Sequence, residues 1–290
     1  MNEDVKNMLV RSLSGIVLVT AFVNGLVWSP WGFLLVLALL AVGGMYEFYA
    51  LAAARGVRPQ RILGVVAGLL LLVLHFVLTR GIVGVGFGPA MVATASLLVL
   101  IVPVLLICEL YRKNSDPLAC VATTLLGICY VVLPLICLFS IAADGPAGTW
   151  RPRVALGYIV IVWANDVLAY LIGKLSGGPH KLSTRLSPKK SWEGFVGGVL
   201  GAVAAGLCFG RWLGGSLWGW AGLALVAAVA GVLGDLAESM FKRAADTKDS
   251  GTLIPGHGGV LDRFDAVLLS APFVAVYLML CDFVWGVDLL

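Results

Sequence analysis

Long apolar stretches, separated by short polar segments, run through the whole chain. Each is close to the roughly 20 residues that an α-helix needs to cross the hydrocarbon core of a membrane. The stretches lie near residues 9–28, 31–51, 62–79, 90–110, 118–142, 154–174, 195–213, 217–237 and 265–285. Because no water in a bilayer can satisfy open backbone groups, the pattern predicts an all-α, polytopic integral membrane protein with about nine transmembrane helices.

Composition supports the same fold class. Of the 290 residues, 60% are hydrophobic and only 12% are charged, whereas a typical soluble domain has roughly 25% charged residues. No Pro/Ser-rich or charge-rich linker interrupts the chain. We therefore expect one integral membrane domain over residues 1–290, with five spans in residues 1–150 and, in residues 151–290, the four that carry the polar loops.

Lysine and arginine are distributed unevenly between the two sides of these predicted helices. With the N-terminus in the cytoplasm, sixteen of the twenty basic residues lie in the N-terminal segment and the inner loops. Positive charge is retained on the cytoplasmic side during insertion. The distribution thus predicts a cytoplasmic N-terminus and a C-terminus on the opposite side.

Two of the inner segments, residues 166–193 and 235–265, hold seventeen of the thirty-six charged residues. In the second, the eighth span ends in the sequence GVLGDLAESMFKRAADTKD. A helix would place Asp235, Glu238, Ser239 and Lys242 on one face, because they are spaced i, i+3, i+4 and i+7. Ionisable groups near the hydrocarbon are costly, so we expect this stripe to serve a function rather than only to end a helix.

A glycine-rich segment follows that stripe and leads into the last span. Its glycines lie at 251, 256, 258 and 259 and exclude a regular helix, while allowing the backbone to approach a ligand closely. Asp262, Arg263 and Asp265 come next. We predict that the segment folds back and brings Asp262 to Asp235, because paired carboxylates suit Mg²⁺, which is usually shared with substrate phosphates.

The other charged segment begins with Asp166 inside the sixth span, again a position that favours a function. Basic residues then alternate with hydroxyl residues, as in Lys189, Lys190 and Ser191, and this pattern suits an anionic ligand, although basic residues alone also enforce topology. Glu193 is expected to open the seventh helix, where a carboxylate favours the N-terminal dipole.

Histidine is less informative in this chain. His257 lies in the glycine-rich segment. Two roles stay open for it: a structural hydrogen-bonding residue, or a residue that contacts phosphate or transfers a proton. His75 lies inside the third span without an acidic neighbour, and we expect it to be a packed or lipid-interface residue.

Two stretches resemble a known family. Residues 239–265 have the form S-x-F-K-R-x4-K-D-x-G-x2-I-P-x-H-G-G-V-x-D-R-F-D, which resembles the signature of the phosphatidate cytidylyltransferases, or CDP-diacylglycerol synthases, at every defined position. The loop HKLSTRLSPKKSWEGFVGG is also similar to a loop of that family. The likeness covers residues 163–266, whereas the first five spans match only in hydropathy and number.

The resemblance implies a nucleotidyltransferase of phospholipid biosynthesis that makes CDP-diacylglycerol and pyrophosphate from CTP and phosphatidic acid and depends on Mg²⁺, with a second cation left open. It implies that Asp235 and Asp262 hold the metal, with Asp249 and Asp265 as helpers. The predicted catalytic residues are Asp235, Lys248, Asp249, Asp262 and Arg263. The predicted substrate-binding residues are Asp166, Lys189, Lys190, Ser191, Glu193, Ser239, Lys242, Arg243, His257, Gly258 and Gly259.

The same resemblance implies an enzyme of the plasma (inner) membrane with its active site on the cytoplasmic side. Its partners would be CTP, phosphatidic acid and the lipid bilayer, with no nucleic acid, and a homodimer is left open. The chain departs from the family at Val167, where a small or hydroxyl residue often follows the acid, and at Ser191, where threonine is common.

Two alternatives stay open from the residues themselves. A CTP-dependent polyprenol or lipid kinase would also need a metal, basic residues and a lipid groove. A membrane transporter would account for Asp166 and Asp235 inside spans, although transporters usually show broken helices in paired repeats. No D-G-x2-A-R motif is present, which argues against a CDP-alcohol phosphotransferase.

Overall fold

Helices account for most of the described chain, in a computed structural model that describes residues 3–80, 87–143, 150–256 and 258–285. The helices are α1 (Glu3–Trp28), α2 (Pro30–Ala54), α3 (Arg61–Arg80), α4 (Phe87–Leu110), α5 (Pro117–Gly127), α6 (Leu133–Ala143), α7 (Pro152–Leu175), α8 (Trp192–Leu213), α9 (Leu217–Ala244) and α10 (Leu261–Trp285). A π-helical turn, Ile128–Val132, joins α5 to α6. The two short strands are β1 (Lys181–Ser183) and β2 (Ser187–Ser191).

The all-α membrane fold is confirmed. Eight helical segments in the described part of the chain are long and apolar enough to span a membrane, with α5, the π turn and α6 forming one of them. These eight correspond to the second through ninth predicted spans. The first predicted span lies in α1, whose described apolar part, Ser12–Trp28, is shorter, so the ninth crossing and the side of the N-terminus stay predictions.

Several helix ends follow from local sequence chemistry. Ser29 caps α2 by accepting a hydrogen bond from Gly32 N, and Asp116 caps α5 in the same way through Ala119 N. A proline follows each cap, where its missing N–H costs no helical hydrogen bond. Gly214 ends α8 in the left-handed conformation that glycine adopts readily.

By the density of its internal contacts, the chain divides into two compact units. The first consists of residues 1–152 and 244–263, and the second of residues 153–243 and 264–290. The glycine-rich segment, which follows α9 in sequence, is thus grouped with the N-terminal spans. The expectation of one integral domain stays a prediction.

Close helix contacts in the first unit form around Tyr49 of α2. Its hydroxyl donates to the Thr124 carbonyl at 2.8 Å. A Cβ added to Gly64 or Gly127 would lie within 2.4 Å of this side chain. Glycine therefore allows α3 and α5 to approach α2 closely, as small residues do between membrane helices.

The second unit contains the only β-structure in the described residues apart from an isolated bridge. Strands β1 and β2 form an antiparallel hairpin that pairs Lys181 with Ser191 and Ser183 with Ser187. The hairpin was not predicted from the sequence. Its alternation of polar and apolar residues covers only a few positions, too few to stand out between two long helical patterns.

His75 is fully buried in the first unit, between α4 and α6. Its Nδ1 lies 3.1 Å from Thr94 Oγ1 and its Nε2 lies 2.7 Å from Ser140 Oγ. Both hydroxyls are also placed to donate to backbone carbonyls of their own helices. The prediction that His75 is packed is confirmed, and the alternative of a lipid-interface position is wrong.

We expect His75→Ala to keep most of the activity that the family resemblance implies, measured per folded molecule, since its contacts are structural. The variant should lower stability by about 1–3 kcal/mol, because two buried hydrogen bonds and side-chain volume are lost. Thermal unfolding in detergent and the turnover number of the monodisperse fraction would measure the two effects. A folded but inactive variant would contradict this assignment.

Candidate active site

The predicted polar stripe on α9 is present in the second unit. Ser239 Oγ donates to Asp235 Oδ1 at 3.3 Å, and Lys242 Nζ donates to Glu238 Oε2 at 2.7 Å. Each pair is spaced i, i+4, so the four side chains lie along one helix face as expected. Glu238 is only 1% exposed, and the Lys242 ammonium offsets much of the cost of burying its charge.

Lys190 of β2 reaches the same stripe. Its Nζ lies 2.6 Å from Asp235 Oδ2, and both side chains are partly exposed. Lys190 also attracts the Asp166 carboxylate electrostatically, while Asp166 and Asp235 repel each other. The hairpin thus places one cationic side chain within reach of two carboxylates from different helices.

Asp265, in the first turns of α10, belongs to the same group of carboxylates. Those of Asp235, Glu238 and Asp166 are close enough to repel its charge. The described residues contain no group of three or more His, Cys, Asp or Glu side chains arranged to hold a metal ion. Among the described residues, the group is therefore a cluster of acidic side chains rather than a preformed metal shell.

Glycine brings α9 next to α10 at the level of this group. A Cβ added to Gly234 would lie 2.4 Å from the backbone oxygen of Asp265 and 3.0 Å from the Leu269 side chain. Gly234 immediately precedes Asp235, so the closest approach of the two backbones is also the point that brings Asp235 near Asp265. One turn earlier, a Cβ at Gly231 would make an ordinary contact of 3.5 Å with Ala266.

Asn165, next to Asp166, presents an unusual acceptor. Its Nδ2 donates to Asp166 Oδ1 at 3.3 Å. Its Oδ1 is buried and has no hydrogen-bond partner among the described residues. An unsatisfied buried oxygen beside a carboxylate calls for a donor or a cation.

Two residues of the predicted substrate loop have structural roles at the start of α8. Ser191 is its N-cap and accepts a hydrogen bond from Gly194 N at 3.1 Å. Glu193 lies in the first turn, as predicted, and is paired with His180. Lys189 is exposed beside them. Contact of these residues with substrate stays a prediction.

A second constellation lies in the first unit and contains Asp262. Its Oδ2 accepts hydrogen bonds from Ser250 N at 2.9 Å, Ser250 Oγ at 3.0 Å and Gly259 N at 2.9 Å. Gly258, with φ of +85°, reverses the chain just before Gly259. Asp262 therefore holds the glycine-rich segment in shape, and its predicted pairing with Asp235 as a metal ligand stays a prediction.

The remaining predicted residues that the structure describes lie at the protein surface. Lys248, Asp249 and Arg263 are exposed in the first unit, and Arg243 is exposed at the end of α9. His257 lies outside the described residues, so its assignment stays a prediction.

Sequence reasoning missed one acidic residue that contacts the signature. Glu47 of α2 is 1% exposed. It accepts hydrogen bonds from Val260 N and Leu261 N, and it lies 3.1 Å from Ser250 Oγ, whose single proton it shares with Asp262. The signal was present in the sequence, because a lone glutamate inside a long apolar stretch is a functional candidate by default. It was overlooked because the first five spans were interpreted by hydropathy alone.

Comparison with known proteins places this geometry in context. The model of the cytidylyltransferase family matches residues 9–281. The chain belongs to the cytidylyltransferase family. Membership confirms the resemblance found in the signature and makes the chain a nucleotidyltransferase rather than a transporter. It also extends the likeness into the first five spans, including the helix that carries Glu47.

Several relatives of this cytidylyltransferase bear the name phosphatidate cytidylyltransferase. The protein from Brucella abortus is 34% identical over 274 residues, covering 90% of this chain and 91% of its own length. The protein from Synechocystis is 30% identical over 295 residues, covering 93% and 96%. A Staphylococcus aureus relative is 35% identical over 169 residues, 58% of this chain and 62% of its own.

Gly234→Ala should lower activity severely, because its Cβ would overlap the Asp265 backbone and force α9 away from α10. Gly231→Ala is the matched control, since the same methyl group finds an ordinary contact there. We expect a loss of about tenfold or more in kcat for the first variant and little change for the second, in keeping with the sensitivity of catalysis to shifts near 1 Å. Equal activities in a turnover assay would contradict the role given to the contact.

Proposed function

We propose that this cytidylyltransferase transfers the cytidylyl group of CTP to phosphatidic acid, giving CDP-diacylglycerol and pyrophosphate. The observation that carries the proposal is the complete signature of residues 239–265, in a chain aligned over most of its length with relatives of that name. The grouping of basic and acidic side chains around Asp235 supports it chemically.

The reaction needs no protein nucleophile. An oxygen of the phosphatidate phosphate attacks the α-phosphorus of CTP, a new P–O–P linkage forms, and the bond from the α-phosphorus to the bridging oxygen of the β-phosphate breaks. Pyrophosphate leaves with that oxygen. The attacking phosphate is already ionised, so positioning and electrostatic stabilisation dominate over general-base catalysis.

Mg²⁺ is proposed as the cofactor, since it is typically held by one or two carboxylates together with substrate phosphates. Asp235 and Asp265 would hold it, and Asp166 lies within electrostatic reach of both. The donor set fits a cation, because the Lys190 ammonium already rests against Asp235 and the buried Asn165 oxygen lacks a partner among the described residues. When bound, the metal would neutralise charge on the phosphoryl groups.

The same proposal gives the basic residues their roles. Lys190 would move from Asp235 to a phosphate oxygen of CTP, and Lys189 beside it would add positive charge. Lys248 and Arg263 of the signature would contact phosphate, where arginine binds two oxygens at once. We place the site on the cytoplasmic side because the loops that carry these residues contain most of the lysine and arginine.

Asp235→Asn should lower kcat/KM by roughly 100-fold or more, the scale expected when a group that stabilises transition-state charge is removed. The amide keeps the size of the side chain but loses the charge that faces Lys190. Asp246→Asn is the control, because Asp246 occupies an undefined position of the signature and asparagine tolerates its positive φ of 54°. Near-unmutated activity of Asp235→Asn would refute its assignment.

The reaction itself is tested with purified protein, CTP labelled in the cytidine, phosphatidic acid and Mg²⁺, each omitted in turn. We expect the cytidine label to appear in the lipid fraction, pyrophosphate to be released, and both to require every component. A lipid kinase would leave the cytidine label in water-soluble CDP, and that result would replace this proposal with the alternative. Activity that persists in EDTA would remove Mg²⁺ from it.

A further inference from the structure

Glu47 of α2 lies against the start of α10, more than two hundred residues away in the chain. Val260 N donates to Glu47 Oε1 at 2.9 Å, and Leu261 N donates to Oε2 at 2.9 Å. Ser250 Oγ lies 3.1 Å from the same Oε2. Among the described residues, no Lys, Arg or His forms a salt bridge with this carboxylate.

These contacts satisfy two N–H groups at the N-terminus of α10. The first N–H groups of a helix have no partner within the helix and carry partial positive charge. An anion is stable at such a position, and the buried Glu47 carboxylate supplies it from another helix. The exchange is mutual, because the same N–H groups offset the cost of burying the glutamate.

Two glycines of the signature leave room for this carboxylate. A Cβ at Gly251 would lie 2.6 Å from Glu47 Oε1, and a Cβ at Gly259 would lie 2.0 Å from Ser250 Oγ and 2.5 Å from Glu47 Oε2. Neither glycine has a positive φ, so the nearby carboxylate accounts for them better than backbone strain does. These two glycine positions of the signature therefore leave the space that the Glu47 carboxylate occupies.

Ser250 connects Glu47 with Asp262. Its hydroxyl oxygen lies 3.1 Å from Glu47 Oε2 and 3.0 Å from Asp262 Oδ2. Gly259, which packs on Glu47, also donates its N–H to Asp262. Displacing the Glu47 carboxylate would therefore disturb two of the three donors that hold the Asp262 oxygen.

We propose that Glu47 is a positioning residue for cytidylyl transfer, which holds Ser250, Gly251 and the start of α10 from Gly259 onward and, through Ser250, orients Asp262. This inference rests on the proposed function for its catalytic readout. It assigns a role in the reaction to the N-terminal spans, in which no catalytic or binding residue was predicted.

The test compares Glu47→Gln with Glu109→Gln in the purified full chain. Glu109 is also a buried glutamate of the first unit, but its partners are Gln60, Arg112 and Asn114 rather than the signature. We expect Glu47→Gln to lower kcat per folded molecule by about 10- to 100-fold, as loss of a supporting contact does at metal sites. KM for CTP should change much less, and Glu109→Gln should leave kcat near the unmutated value.

A double-mutant cycle that combines Glu47→Gln with Ser250→Ala tests whether Glu47 affects kcat through Ser250. If Glu47 acts through Ser250, the two losses in kcat will be strongly non-additive. Additive losses, or a kcat for Glu47→Gln within twofold of wild type, would overturn the proposal. Should Glu47→Gln yield no folded protein, Ser250→Ala alone decides, because it keeps the glutamate and its backbone contacts, and an unchanged kcat there would equally overturn it.

Hydrogen exchange gives a readout that does not depend on the reaction. In Glu47→Gln, the amides of residues 258–262 should exchange about tenfold faster or more, since their protection reflects local opening. Amides of α5 should be unaffected. Failure of the wild-type chain to make CDP-diacylglycerol would refute the proposed function, whereas unchanged exchange in these amides would refute the placement of Glu47 as their anchor.

Discussion

Carboxylates inside apolar helices are costly unless the protein supplies a partner, and the polar architecture of this cytidylyltransferase follows from that constraint. Glu238 is paired with Lys242 one turn along α9, and Glu109 is paired with Arg112 at the end of α4. Glu47 instead rests on backbone N–H groups at the start of α10. A lysine or arginine side chain can move away from a carboxylate, whereas a helix terminus cannot leave its position. A partner of the second kind therefore suits a carboxylate that supports the structure.

The signature illustrates how a linear motif encodes a fold rather than only a set of reactive groups. Ser250 and Gly259 donate to Asp262, and Gly251 and Gly259 make space for Glu47. Substituting Ser250, Gly251 or Gly259 would shift the backbone of the segment without changing its charge. The residue type therefore matters at many positions of the signature, although few of these residues are expected to contact CTP.

Sequence reasoning succeeded where the physical signal is local. Eight apolar helices follow from hydropathy, because a span must satisfy its backbone within itself. The α9 stripe follows from helical periodicity, so Asp235 with Ser239 and Glu238 with Lys242 were found in advance. The pairing of Lys190 with Asp235 was not predicted, because it depends on a hairpin whose register is set by tertiary contacts. Glu47 was overlooked although a lone glutamate in an apolar stretch is itself a signal. Its contacts with Val260 N and Leu261 N could not be predicted, because backbone groups carry no residue-type signal.

The two aspartates at the centre of the sequence-based hypothesis differ in what already surrounds them. One oxygen of Asp262 lies within hydrogen-bond distance of three donors of its own segment, and lone pairs engaged by these donors are not available to a cation. Asp235 has one oxygen paired with the ammonium of Lys190, a flexible side chain that would release this oxygen to a divalent ion if a phosphate of CTP became its new anionic partner. Within the proposed function, Asp235 is thus better suited to hold the metal than the hydrogen-bonded oxygen of Asp262, and the contacts that begin at Glu47 would keep that oxygen in its structural role.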